Sequence, residues 1–227
     1  PEPFNSVTLP EMPDNRCPEA PMNANPVLDM CRQAVPDMLS LTERLVNMDS
    51  GSDDLPGLER KVTLLERLFA ERGAETRLAE SLPPGSGRRN LIAAFHGRGK
   101  ARILLLTHYD TVFPPGEAAR RPFSCDGEKA YGPGVADMQA SIAMLLTGIP
   151  LFHAEEGRPY HTLTVFCNAE EETGSWGSRD LIRDLAAQHD ITLNMELSGA
   201  EGNLITVSGR GMANGTLTVR GKAAHSA

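Results

Sequence analysis

Residues able to hold a metal and move a proton recur in this sequence at the ends of apolar runs. His108 and Asp110 follow Ile103, Leu104, Leu105 and Leu106. Four apolar residues in a row fit a buried strand of a mainly parallel sheet. Residues two apart at a strand end point the same way, so His108 can ligate a metal through one ring nitrogen while Asp110 accepts the other N–H and orients the ring. Asp137 stands at the entrance to a helical run, Glu170, Glu171 and Glu172 follow a strand-like stretch over 162–167, and Glu196 follows another over 192–195. In open α/β sheets ligands bind beyond the carboxyl ends of strands, so folding should gather these groups along one edge. Imidazole and carboxylate are zinc ligands, and one carboxylate can bridge two ions that share an activated water. A spare glutamate beside that water can take its proton and pass it to a leaving amine. The chemistry implied is metal-assisted hydrolysis. Glu170 reads as a solvated neighbour, and Trp176 as packing beneath the glutamate turn.

These groups need a scaffold of alternating helices and strands. Residues 26–48 carry apolar positions at helical spacing, divided or kinked at Pro36, and Asp49-Ser50-Gly51-Ser52-Asp53 ends that run. A second amphipathic helix spans about 55–72, with Gly73 where a stop is expected. Strands follow over 76–79, 91–95 and 103–107, with Gly97-Arg98-Gly99-Lys100 expected as a hairpin connection between the last two. A helix is expected over 138–149, with Pro150 beyond its end, and another over 178–188, which Ser178 could cap. The alternation predicts an α/β fold, a largely parallel mixed sheet flanked by helices. Residues 1–26 read as an extended arm, 27–210 as the domain that carries the chemistry, and 211–227 as the beginning of a second unit, where 213–220 alternates like a half-buried strand.

Composition narrows the partners. A net charge of −8 argues against nucleic acid, and 40% hydrophobic residues allow a sizeable core. No apolar run approaches the ~20 residues needed to span a bilayer, so no membrane partner is expected. The chain begins with Pro1, so a tag or an export signal has been removed; the compartment is periplasmic or secreted in the second case and otherwise cytoplasmic. Among four cysteines, Cys17 and Cys31 are close enough in sequence to pair in an exported protein, while Cys125 and Cys167 read as isolated thiols in or near strands.

The motifs His108-x-Asp110, Gly134-x-x-Asp137-Met138, Glu171-Glu172-x-Gly174-Ser175, Glu196 and Gly221-Lys222-Ala223-Ala224-His225 together resemble the co-catalytic dizinc exopeptidases and deacylases. That family includes glutamate carboxypeptidases, aminoacylases, acetylornithine deacetylase and succinyl-diaminopimelate desuccinylase. The stretches 131–137 and 171–178 look most like the glutamate carboxypeptidase branch. The resemblance implies a zinc exopeptidase-like catalytic domain followed by a small α+β dimerisation domain. By position, Asp137 would bridge two zinc ions, His108 and Glu196 would complete one site, and Glu172 would serve the other. Glu171 would be the general base, Asp110 would hold His108, and His225 would polarise the substrate carbonyl, usually across a homodimer interface. The peptide bond between Asp137 and Met138 would be cis.

The implied reaction is removal of a C-terminal residue from a small peptide, plausibly glutamate; the alternatives are deacylation of N-acyl amino acids, or a noncatalytic fragment that keeps the fold and binds metal. The sequence departs from the family where Gln139-Ala140-Ser141 replaces the usual Lys-Gly-Gly. The family's remaining metal-binding histidine lies downstream of the dimerisation domain, so the chain reads as a fragment that should hold at most one zinc firmly.

Overall fold

The computed structural model describes residues 26–197 together with 217, 218, 220 and 221. The chain divides into a unit over Pro1–Glu196, which contains every described element, and a second over Leu197–Ala227. In order, the elements are α1 (Pro26–Gln33), α2 (Val35–Val46), α3 (Leu55–Ala70), β1 (Glu75–Glu80), β2 (Arg89–His96) and β3 (Arg102–His108). There follow α4 (Glu117–Arg120), β4 (Ser124–Cys125), β5 (Ala130–Tyr131), α5 (Ala140–Glu156), β6 (Thr162–Asn168), α6 (Arg179–Ala187) and β7 (Ile191–Asn194).

Five strands form one sheet in the order β1-β2-β6-β3-β7, and β4 and β5 form a separate small pair. Ladders β1–β2 and β2–β6 are antiparallel, whereas β6–β3 and β3–β7 are parallel. The fold is therefore the expected mixed α/β sheet, and its parallel half carries the candidate site. The register brings the strand ends level: His108 lies opposite Asn168, and Leu106 opposite Asn194. Period-two alternation supplies two cores. Leu91, Ala93, Phe95, Leu105, Leu163, Val165 and Cys167 pack with Leu58, Leu65, Phe69 and Ile142 on one face. Ile92, Leu104 and Phe166 pack with Leu185 of α6 on the other.

Several expectations need correcting. Residues 97–100 do not make a hairpin, because β6 lies between β2 and β3. The loop instead pairs with the approach to β6: Gly97 N–H donates to the His161 carbonyl, Arg98 N–H to Arg158 and Gly99 N–H to Tyr160. A Cβ on Gly99 would run into the Pro159 carbonyl, which explains a glycine there.

Pro150 lies inside α5, which runs on to Glu156. Proline removes the N–H that would bond the carbonyl four residues back, here Leu146. Arg72 supplies a substitute, its Nε donating to the Leu146 carbonyl at 2.5 Å. Packing of Leu145, Leu146, Ile149 and Phe152 against the core then carries the helix past the break. Arg72→Met should accordingly cost about 1–3 kcal/mol by orphaning that carbonyl. Chemical denaturation checks this; an unchanged midpoint would show that the carbonyl is otherwise satisfied.

Ser178 precedes α6 without capping it; its hydroxyl donates to Asn168 Oδ1 at 3.0 Å. The strand expected at 192–195 is Ile191–Asn194, an exposed edge rather than a core strand, because among the described residues it has a neighbour on one side only. The stretch Val135–Ala154, which joins the turn before α5 to α5 itself, is by length and composition apolar enough to cross a membrane. Its Ile142, Ala143, Leu146 and Ile149 belong to the core. Cys31 and Cys125 are exposed and Cys167 is buried, all as free thiols; Cys17, and with it the pairing with Cys31, lies outside the described residues. The strand expected at 213–220 and the second unit it would begin also lie largely outside them.

Candidate active site

His108 is the last residue of β3 and is buried. Its backbone N–H donates to Met138 Sδ at 3.2 Å, its Nδ1 bonds the Asp110 backbone carbonyl at 3.1 Å and lies 3.3 Å from Asp110 Oδ1, and its Nε2 is left to face the cleft. There Nε2 meets Asp137 Oδ1 at 2.9 Å and Glu196 Oε1 at 3.0 Å, with Glu171 Oε2 farther off at 4.0 Å.

Asp110 is fully buried, and its carboxylate is the hub of the arrangement. Oδ1 accepts the Glu171 N–H at 3.1 Å; Oδ2 accepts the Glu172 N–H at 3.2 Å and the Ser52 hydroxyl at 2.8 Å. Asp110 thus holds the imidazole through its carbonyl and carboxylate, and its carboxylate holds the turn carrying both glutamates. That turn, Glu171–Thr173, sits just beyond β6.

Asp137 occupies a helical stretch, Val135–Gln139, interrupted by non-helical backbone at Asp137 and Met138 before α5 begins. The Asp137–Met138 bond is cis, as the resemblance implies. Met138 and Gln139 are fully buried, so the departure from the family pattern at Gln139 is accommodated by packing: its Nε2 donates to the Tyr109 carbonyl at 3.3 Å.

The sequence reading passed over the segment 49–54 as a helix breaker. It supports the site. Ser50 Oγ donates to the Tyr109 carbonyl at 2.8 Å, Ser52 to Asp110, and Thr111 N–H to the Ser50 carbonyl at 2.9 Å. Gly51 bridges to Thr111, where a Cβ would run into the Phe113 carbonyl. The legible signal was a glycine between two small hydroxyl residues, directly before the helix cap Asp54. Two further readings change. Glu170 is buried rather than solvated, with Oε1 lacking a hydrogen-bond partner. Trp176 is 73% exposed, with Arg179 over its ring at 5.6 Å, because the turn carries its side chain outward. His225 lies outside the described residues.

The electrostatics favour a cation between these side chains. Asp110, Asp137, Glu171, Glu172 and Glu196 surround a single imidazole. Burial alone would lower the pKa of His108, but hydrogen bonds to Asp110 and Glu196 outweigh it and push the imidazole up to about 11. Desolvation first, then the neighbouring charge of Asp137, pushes Glu172 up to about 6. Desolvation also raises Glu171, reinforced by Glu196, Asp110 and Asp137 and opposed by His108. Two sets of side chains converge closely enough to share an ion: His108, Glu171 and Glu196, and His108, Asp137 and Glu172. An imidazole with its other nitrogen held by a carboxylate, facing further carboxylates, is a donor set that fits zinc.

A sign follows for metal-free protein. An acid whose pKa is raised in the folded state stabilises the fold below its unfolded value and loses that contribution as pH rises through the folded value. For Glu172 the window is 4.5 to about 6. Glu172→Gln should therefore raise the melting temperature of EDTA-treated protein at pH 7 and by clearly less at pH 4.5. Equal shifts at both pH values would show that burial and neighbouring charge do not penalise the Glu172 carboxylate.

Residues 104–218 match the model for peptidase family M20/M25/M40. The chain is 35% identical over 190 residues to carboxypeptidase G2 of Pseudomonas sp. (strain RS-16), covering 84% of this chain and 46% of that protein. It is 37% identical over 143 residues to succinyl-diaminopimelate desuccinylase of Xanthomonas oryzae pv. oryzae (strain PXO99A), covering 58% of this chain and 38% of that protein. The chain thus spans less than half the length of these curated relatives. In fold it is similar to human carnosine dipeptidase 1, with a TM-score of 0.63 at 15% identity over 74% of this chain and 40% of that one. It is also similar to an M20 family metallo-carboxypeptidase from Sulfolobus solfataricus, with a TM-score of 0.60 at 17% identity over 70% and 37% of the two chains.

Proposed function

Since this chain belongs to peptidase family M20/M25/M40, we propose that it carries the metal site of a zinc-dependent carboxypeptidase that releases a C-terminal residue, glutamate by preference, from a small peptide or amide. The observation that carries this reading is the meeting of Asp137 and Glu196 at His108 Nε2 while Asp110 takes Nδ1. His108 presents one free nitrogen, so it serves one ion. That ion takes His108, Asp137 and Glu196, and Asp137 and Glu172 hold the second.

Zinc in these positions supplies a Lewis acid and makes water a nucleophile at neutral pH. Glu171 takes the proton of the attacking water and returns it to the departing nitrogen. Its place farther from His108 Nε2 than Asp137 or Glu196 suits a base rather than a ligand. Asp110 keeps the imidazole in the tautomer that offers Nε2, and the same carboxylate holds Glu171 by its backbone. His225 polarises the substrate carbonyl from a dimerisation domain, across the interface of a homodimer. Deacylation of N-acyl amino acids is the second reading, favoured by the identity to the desuccinylase.

The test is hydrolysis by the zinc-supplemented native gene product of three substrates: an N-acyl peptide ending in glutamate, the same peptide ending in lysine, and an N-succinyl amino acid. Preference for the first supports the carboxypeptidase; preference for the third moves the assignment to the deacylase. Zinc binding with no turnover of any would leave a noncatalytic metal-binding relative.

A further inference from the structure

Beneath the site, on the side away from solvent, lies a charged group that the chemistry above does not use. Lys61, on α3, is fully enclosed. Its ammonium donates to the Leu45 carbonyl at 2.7 Å and to Gln139 Oε1 at 3.1 Å, both neutral acceptors. A buried amine costs far more desolvation than an apolar side chain of similar shape, and burial lowers the pKa of Lys61 to about 7 against the opposing charge of Asp49. Its presence calls for something that only a donor can do there.

The two ends of the Gln139 amide supply that role. A carboxamide offers an acceptor at one end and a donor at the other, and a lysine can only donate. With Lys61 against it, Oε1 is obliged to face the lysine, so Nε2 must face the Tyr109 carbonyl, where it donates at 3.3 Å. That carbonyl belongs to the residue between His108 and Asp110, and Ser50 Oγ grips it from another direction at 2.8 Å. Gln139 itself stands two residues after Asp137. We infer that Lys61 is a positioning residue for the metal site: by fixing which way the Gln139 amide points, it ties the Asp137 segment to the His108–Asp110 segment and so sets the spacing of the ligands. Without Lys61 the buried Oε1 loses its donor, and an amide that swings to find another gives up the Nε2 bond to the Tyr109 carbonyl. The inference rests on the metal-site reading above.

The experiment is zinc affinity by competition with a chromophoric chelator, at matched folded fraction, for the wild type, Lys61→Met, Gln139→Leu, the double variant, Arg72→Met and Asp137→Asn. Groups that orient metal ligands are worth about 10- to 100-fold in affinity. Each of the first two variants should weaken zinc about tenfold, and the double variant should be no weaker than the weaker single, because both break one link. Arg72→Met, in the turn that follows the same helix but bonded to Leu146 and Leu68, should lose stability and keep zinc affinity. If Lys61→Met does not fold, Gln139→Leu decides the matter. Wild-type affinity in Lys61→Met and Gln139→Leu alongside weakened binding in Asp137→Asn would overturn the inference and leave the site intact. Multiplied losses in the double variant would also overturn it, since Lys61 would then act by another route. Absence of zinc binding in the wild type would remove the site reading and the inference together.

Discussion

Glu171→Gln in the native gene product is expected to cut turnover by about 10²- to 10⁴-fold while zinc content stays at the wild-type value. A positioned acid/base contributes about that much. The substitution keeps shape and the backbone N–H that Asp110 holds, and removes only the capacity to take a proton. In the metal-free protein, burial and then the carboxylates around it raise the pKa of Glu171. Glu172→Gln should show the opposite pattern, with zinc occupancy falling first. If Glu171→Gln shed zinc and Glu172→Gln kept it, the two glutamates would exchange roles, as the convergence of Glu171 with His108 and Glu196 would then require.

Asp110→Asn should lower zinc affinity about 10- to 100-fold although the residue need not touch the ion. Its carboxylate accepts from Ser52, Glu171 and Glu172 and faces His108 Nδ1. An amide nitrogen in place of either oxygen points a donor at donors. Whichever way it turns, either the Ser52 and Glu172 contacts are lost, or the Glu171 contact and the carboxylate charge beside His108 Nδ1, which then keeps only its bond to the Asp110 carbonyl. Leaving a buried donor without an acceptor costs about 1–3 kcal/mol, so stability should fall with the affinity. Calorimetric zinc titration and thermal melting of the same sample read both effects. Unchanged zinc affinity in a destabilised Asp110→Asn would show that Asp110 supports the fold and not the ligands.

The site was legible in the sequence to the extent that strand ends are legible. His108, the glutamate pair and Glu196 each follow an apolar run. The parallel register of β6, β3 and β7 then brings those ends level, so a one-dimensional rule about carboxyl ends became a place in space. What stayed hidden depends on contacts between distant segments. Ser52 and Asp110 are 58 residues apart, and Lys61 and Gln139 are 78 apart. Lys61 has no local pattern that distinguishes it from a solvated helix lysine, and the glycine between Ser50 and Ser52 marks a close approach without naming its partner. The insertion of β6 between β2 and β3 is likewise set by long-range pairing that overrides a plausible hairpin. Pro150 misled for a related reason, since the arginine that compensates it comes from the distant turn after α3.

The claim that Asp137 and Glu196 meet His108 to hold a metal is tested most directly by anomalous diffraction at the zinc edge from crystals of zinc-loaded protein. The expected result is a peak about 2.0–2.2 Å from His108 Nε2 and from carboxylate oxygens of Asp137 and Glu196, with Glu171 outside bonding distance. A peak bonded to Glu171 in place of Asp137, or zinc-saturated crystals with no peak at His108, would contradict it.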